Sequence, residues 1–196
     1  HTNADALFAD QFLASAGSLR SLELDHIRSA EEPVPFDWRK LHSLRRLVII
    51  GSHYTRPAEA WPMHLPPTLQ ELRLDSNPLQ HNLDGAALVR LSNSQTIRTI
   101  SAANCGLNGR NSSRLIEVDG RSWLAPGGSA LTNLTTLSVA KNSIAGALPP
   151  QLCNCSALAE LDFAHNQLSG TVPACVAAMG PLRKLVLAGR FLTDPL

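Results

Sequence analysis

Apolar residues return along this chain at two spacings, one nested in the other. The short spacing is the run apolar-x-x-apolar-x-apolar, written Leu134, Leu137, Val139 and again Leu158, Leu161, Phe163. The long spacing is the 24 residues that separate the two runs. Over the same period Asn142, Ile144, Gly146, Leu148 and Pro149 return as Asn166, Leu168, Gly170, Val172 and Pro173. Successive residues of a strand face opposite sides, so each Leu-x-Leu buries one side of a short strand. A unit of this length cannot cover its own leucines and has to stack on its neighbours. The pattern therefore predicts a solenoid with one strand per period.

The frame extends in both directions. Leu19, Leu22, Leu24 make a first strand; Leu44, Leu47, Ile49 a second; Leu69, Leu72, Leu74 a third; Ile97, Ile100, Ala102 a fourth. Leu182, Leu185, Leu187 follow the central pair. The steps between first apolar residues are 25, 25, 28, 37, 24 and 24. The long step places an insertion near 108–128, rich in Gly, Asn and Ser and read as a loop. Before each strand a second apolar column holds Trp38, Leu41, Met63, Leu91, Leu131, Leu152, Cys155, Val176 and Met179. It forms the inner side of the opposite wall. Leu7, Phe8, Phe12 and Leu13 suggest an amphipathic helix. The expected domains are a capping helix over 1–18 and an array of about seven repeats over 19–196.

The polar residue that follows each strand has a job at the bend. Asn142 and Asn166 occupy it, as does Asn77, while Cys105 stands there in the fourth repeat. An amide side chain carries two donors and an acceptor, enough to satisfy backbone groups freed where the strand ends. The Ile/Leu-x-Gly-x-Leu/Val-Pro that comes next predicts a second short extended segment, with Gly allowing close approach and Pro ending the pairing.

The outward side chains of the strands are the candidate recognition surface. The first strands are charged, and Arg20, Glu23, Arg45, Arg46, Glu71, Arg73 and Arg98 are the candidate binding residues, with Trp123 of the insertion as a loop anchor. Later strands carry Ala, Ser and Thr. Such a face can equally stay solvated. The formal net charge of +1 argues against a nucleic-acid surface. No apolar run is long enough to span a membrane. We therefore expect membrane attachment only through a segment outside this chain. The start at His1 rather than Met suggests a trimmed leader, and the close on a fresh Leu-x-x-Pro run suggests a chain that continues.

Cysteine usage and sequons bear on compartment. Cys155 falls in the apolar column and reads as a small hydrophobe. Cys153 and Cys175 lie on consecutive turns opposite the strands and are expected to form a disulfide. The sequons Asn111-Ser-Ser, Asn133-Leu-Thr and Asn154-Cys-Ser are candidate glycosylation sites. C-x-C is not a usual zinc spacing, so no metal or cofactor is expected. The seven His are scattered and no catalytic motif is present, so no enzyme is expected.

The motif L-x-x-L-x-x-L-x-L-x-x-N-x-L-x-G-x-L/V-P over Leu131 to Pro173 resembles the plant-specific class of leucine-rich repeats. That class occurs in extracellular domains of plant receptor kinases and in polygalacturonase-inhibiting proteins. The motif also resembles repeats of trypanosomatid surface antigens, which favour G-x-L-P-P as in Gly146 to Pro150. The chain departs from the plant pattern at its N-terminus, which lacks the paired-cysteine cap. The resemblance implies an α/β leucine-rich-repeat solenoid, right-handed, with parallel strands on the concave face and an irregular or short-helical convex side. It also implies recognition of a protein or glycan partner, in an extracellular or cell-surface setting. A surface-coat spacer and an intracellular scaffold are the alternative functions.

Overall fold

The computed structural model describes residues 16–26, 40–51, 65–77, 79, 96–109, 117–118, 121–122, 132–148, 150–187 and 191–192. Seven short strands make one parallel sheet: β1 (Ser21–Asp25), β2 (Arg46–Ile50), β3 (Glu71–Arg73), β4 (Thr99–Ser101), β8 (Thr136–Ser138), β10 (Glu160–Asp162) and β12 (Lys184–Val186). They lie side by side in chain order. The middle apolar residues stand in one register row, from Leu22 through Leu47, Leu72, Ile100, Leu137 and Leu161 to Leu185. The repeat frame dictates this register, because a slip of one residue would turn every leucine outward. Strands of three residues have no stability of their own. The stacked leucines supply it, and Leu44, Leu72, Leu134, Leu158 and Leu161 are fully buried.

A second, four-stranded sheet runs along the next segment of each repeat. It joins β5 (Asn108–Gly109), β9 (Ser143–Gly146), β11 (Gln167–Gly170) and β13 (Phe191–Leu192), again in parallel. This is the extended segment predicted from Ile-x-Gly. Its glycines are needed: Gly146 has φ 97° and Gly170 φ 80°. A Cβ on Gly170 would also stand 3.3 Å from that of Ala147. The side opposite the main sheet has little helix among the described residues. It carries a 3₁₀ turn at Pro150–Asn154 and one α-turn, α1 (Ala174–Ala177), with Leu152, Cys155 and Val176 buried beneath.

The bends are closed by the expected side chains. Asn142 Nδ2 donates to the carbonyls of Val139 (2.9 Å), Ala140 (3.1 Å) and Ala102 of the preceding strand (2.9 Å). Its Oδ1 accepts from the backbone N–H of Cys105 and Leu107, each at 3.0 Å. Asn166 repeats the arrangement on Phe163, Val139 and the N–H of Ile144. Asn77 does so on Leu74 and Ile49. Cys105 keeps only part of the role: its thiol donates to Leu74 (3.0 Å) and Ala103 (3.3 Å). One residue ahead of each of these positions the backbone is left-handed, at Ser76 (φ 58°), Asn104 (55°), Lys141 (55°) and His165 (55°), and likewise at His26 and Gly51. An L-residue there costs roughly 1–2 kcal/mol, which the satisfied bend offsets.

Four expectations need correction or fall elsewhere. The insertion is not loop throughout: β6 (Glu117–Val118) and β7 (Arg121–Ser122) pair antiparallel within it. The intervening sequence, Asp119-Gly120, is a dipeptide favoured for two-residue hairpin connections. Val48, assigned to the outward face, is 1% exposed. It stands in register between Glu23 and Arg73. Ala16 to Ser18 lead into a turn before β1, and the expected capping helix ahead of them lies outside the described residues. So do Asn111 and Trp123.

Three outcomes follow for stability, read by urea denaturation. Asn142→Ala and Asn166→Ala each leave buried bend carbonyls unpaired and should cost about 1–3 kcal/mol. Cys105→Asn restores the missing donor and acceptor and should raise the midpoint; a lowered midpoint would contradict the partial role given to the thiol. Leu137→Ala and Leu161→Ala should each cost about 2–5 kcal/mol. Leu185→Ala should cost far less, because Leu185 in the same row is 42% exposed. Equal losses at all three would contradict the exposure of Leu185. Burial pushes the thiols of Cys105 and Cys155 up to about 11 and about 12. Their neutral forms therefore favour the fold, and stability is lost as pH rises from about 9 toward those values. An alkylating reagent at pH 8 should leave the native protein unmodified and take both thiols only in denaturant. Ready native labelling would exclude this packing.

Candidate functional site

The parallel register arranges the outward residues of the sheet into rows that cross the strands. Ser21, Arg46, Glu71, Thr99, Thr136, Glu160 and Lys184 form one row. Two residues on, Glu23, Val48, Arg73, Ser101, Ser138, Asp162 and Val186 form the next. Because neighbouring strands are about 4.8 Å apart, side chains in adjacent rows and strands meet.

Four of the predicted site residues meet in this way. Arg46 Nη1 donates to Glu23 Oε2 at 2.9 Å, and Arg46 Nε lies 3.3 Å from Glu71 Oε2. Arg73 Nε donates to Glu71 Oε1 at 2.6 Å. The Glu23 hydrogen bond is the largest influence that raises the Arg46 pKa above its ordinary value. The network is half exposed, and pairs of this kind contribute at most about 1 kcal/mol each. What it does is neutralise: two cations and two anions cancel on the surface of β1, β2 and β3.

The other carboxylates at this end of the sheet are also engaged. Asp75 Oδ1 accepts from Ser101 Oγ at 2.6 Å and from the Ala103 N–H at 2.7 Å. Asp25 Oδ1 and His26 Nδ1 are 2.6 Å apart. These partners belong to adjacent strands or adjacent residues, so they hold the surface in shape.

Arg20, Arg45 and Arg98 stand apart from that network. They belong to the row just ahead of the strands, where the carbonyl of each residue accepts two N–H groups from the next repeat. Arg20 O accepts from Arg45 and Arg46 at 2.8 and 3.0 Å, Arg45 O from Gln70 and Glu71, and Gln70 O from Arg98 and Thr99. All three arginines are exposed, and none has an ion pair among the described residues. Sequence reasoning placed all seven charged candidates on one face without separating these two sets. The separation was available from the register, since Arg46 sits beside Ser21 and Glu71 while Arg45 sits beside Arg20 and Gln70.

The remaining candidates are spread over the molecule. Asn133 is exposed in the turn before β8, and Asn154 is exposed at the end of the 3₁₀ turn on the opposite side. Cys153 and Cys175 are joined by a disulfide with Cα atoms 5.8 Å apart, tying the 3₁₀ turn to α1. Among the described residues no three His, Cys, Asp or Glu converge as a metal site. No described helix is long and apolar enough to cross a membrane.

Comparison with known proteins agrees with this architecture. The family described as Leucine Rich Repeat matches residues 133–155. An internalin (inlF) from Listeria monocytogenes is similar over 93% of this chain and 45% of its own, at 18% identity and a TM-score of 0.60. The Arabidopsis receptor kinase HAESA, solved with the peptide hormone IDA and the co-receptor SERK1, is similar over 82% of this chain. There the identity is 22%, the TM-score 0.58, and 24% of the receptor chain is covered. The chain thus spans less than half the length of either structure. No curated protein matches it in sequence. The period, the bend asparagines and the stacked parallel strands give this chain the fold of a leucine-rich repeat solenoid.

Proposed function

We propose that the chain is an extracellular recognition module that binds a protein partner through the outer face of the seven-stranded sheet. One observation carries the reading: the sheet presents in-register side chains that the core does not use. Thr136 and Ser138 on β8, with Ala164 beyond β10, make a low-relief surface beside the charged rows of β1 to β3. A surface held by the stack loses little ordering entropy when a partner lands on it. The likeness to a receptor kinase solved with a peptide hormone and a protein co-receptor supports a protein partner. The Cys153–Cys175 disulfide and the exposed sequon asparagines Asn133 and Asn154 support an oxidising, secretory setting.

The test is a comparison of two faces. Protein secreted from a eukaryotic host is used to recover surface and secreted binding proteins, and affinity for the recovered partner is measured. Thr136→Arg with Ser138→Arg should weaken binding by tenfold or more, about 1.4 kcal/mol. Ala178→Arg, on the opposite wall, should leave it unchanged. Loss on Ala178→Arg with retention in the sheet variant would move the site off the sheet and refute the proposal.

A further inference from the structure

We infer that the arginine row ahead of the strands is the contact for an acidic segment of the protein partner. The inference deepens the reading above and rests on it. It starts from how charge is distributed. On the strands themselves the cations and anions cancel, through Arg46 with Glu23 and Glu71 and through Arg73 with Glu71. Ahead of the strands nothing cancels. Arg20 and Arg45 are neighbours in the backbone ladder, about 4.8 Å apart by strand spacing, and Arg98 lies two strands further, about 10 Å from Arg45.

Among the described residues the ground around the row is free of acid. In the described repeats the residues three and two before each row position are Gly17 and Ser18, His42 and Ser43, Pro67 and Thr68, and Thr132 and Asn133; Thr96 stands two before Arg98. None is a carboxylate. The carboxylates nearby in the fold are already held by Arg46, Arg73, Ser101 or His26. Two adjacent guanidinium groups without a counter-charge repel each other, and a bound anion relieves that repulsion. The row is thus one-signed along one border of the sheet, the arrangement that steers an oppositely charged partner to its docking face.

The chemistry favours carboxylates on a polypeptide. A guanidinium presents a planar fork of N–H donors that matches a carboxylate bidentately. The row is also interrupted: Gln70 separates Arg45 from Arg98, and Thr135 and Ala159 follow before Arg183. Three arginines over about 14 Å suit acidic residues spaced by neutral ones better than a polymer charged at every unit. Gln70 can hydrogen-bond a backbone amide in the gap.

The experiment uses the full chain and two probes, a fluorescent oligoglutamate peptide and a sulfated polysaccharide of equal charge. Anisotropy titrations are run at low and at physiological salt. The peptide should bind, more weakly as salt rises. The triple variant Arg20→Gln, Arg45→Gln, Arg98→Gln should lose about tenfold or more. Arg46→Gln, within the neutralised network, should lose less than about threefold. Urea midpoints equal to the parent would show that the variants fold. Peptide binding unchanged in the triple variant, or lost equally in Arg46→Gln, would overturn the inference. So would binding of the polysaccharide alone, which would assign the row to a glycan. If the peptide fails while sheet variants still lose the protein partner, recognition by the sheet stands and the acidic contact falls.

Discussion

Everything in this molecule depends on satisfying the backbone where each strand stops. A strand of three residues gives its carbonyls partners on the neighbouring strand for only a moment, and then the chain must turn. The carbonyls at the turn are buried, and an unpaired one costs about 1–3 kcal/mol. Asn142 answers with one amide that serves three carbonyls and two N–H groups drawn from two adjacent repeats. The bond network that closes one turn therefore also fixes the spacing to the next. Leucine burial provides the driving force, and the amides decide that it is spent in a stack with one register.

That single register determines what the surface can be. Inward positions are committed to the core, so outward positions are free to vary, and they vary by row. The rows on the strands neutralise themselves, whereas the row ahead of them holds Arg20, Arg45 and Arg98 without counter-charges. Seen this way, the first three repeats contain both a structural surface and a surface available to a partner, separated by a few ångströms. On the proposed reading, recognition of a protein and attraction of its acidic groups would fall to adjacent rows on one rigid scaffold.

The strand frame and the bend residues were legible in the sequence because they obey fixed periods. Leu137 and Leu161 pair in the structure as their 24-residue offset requires. The short pairing of Glu117–Val118 with Arg121–Ser122 escaped because two-residue strands leave no alternation to detect, although Asp119-Gly120 was a usable turn signal. Val48 escaped for another reason: outward orientation was taken as exposure, yet on β2, with a strand on either side, it is buried. Among the candidate site residues, the sequence placed the charged side chains on one face but did not show their division into paired and unpaired sets. Which arginine finds a carboxylate depends on diagonal contacts between rows, and those follow from side-chain conformation as much as from position.

The disulfide between Cys153 and Cys175 spans 22 residues and ties two consecutive turns on the wall opposite the main sheet. A linear stack melts from its ends inward, one repeat at a time, since each repeat leans only on its neighbours. The covalent tie removes separate opening of the two repeats it joins. It makes that pair open together or not at all. Redox state would then govern cooperativity more than shape: the same fold zips open gradually when reduced and holds as a block when oxidised.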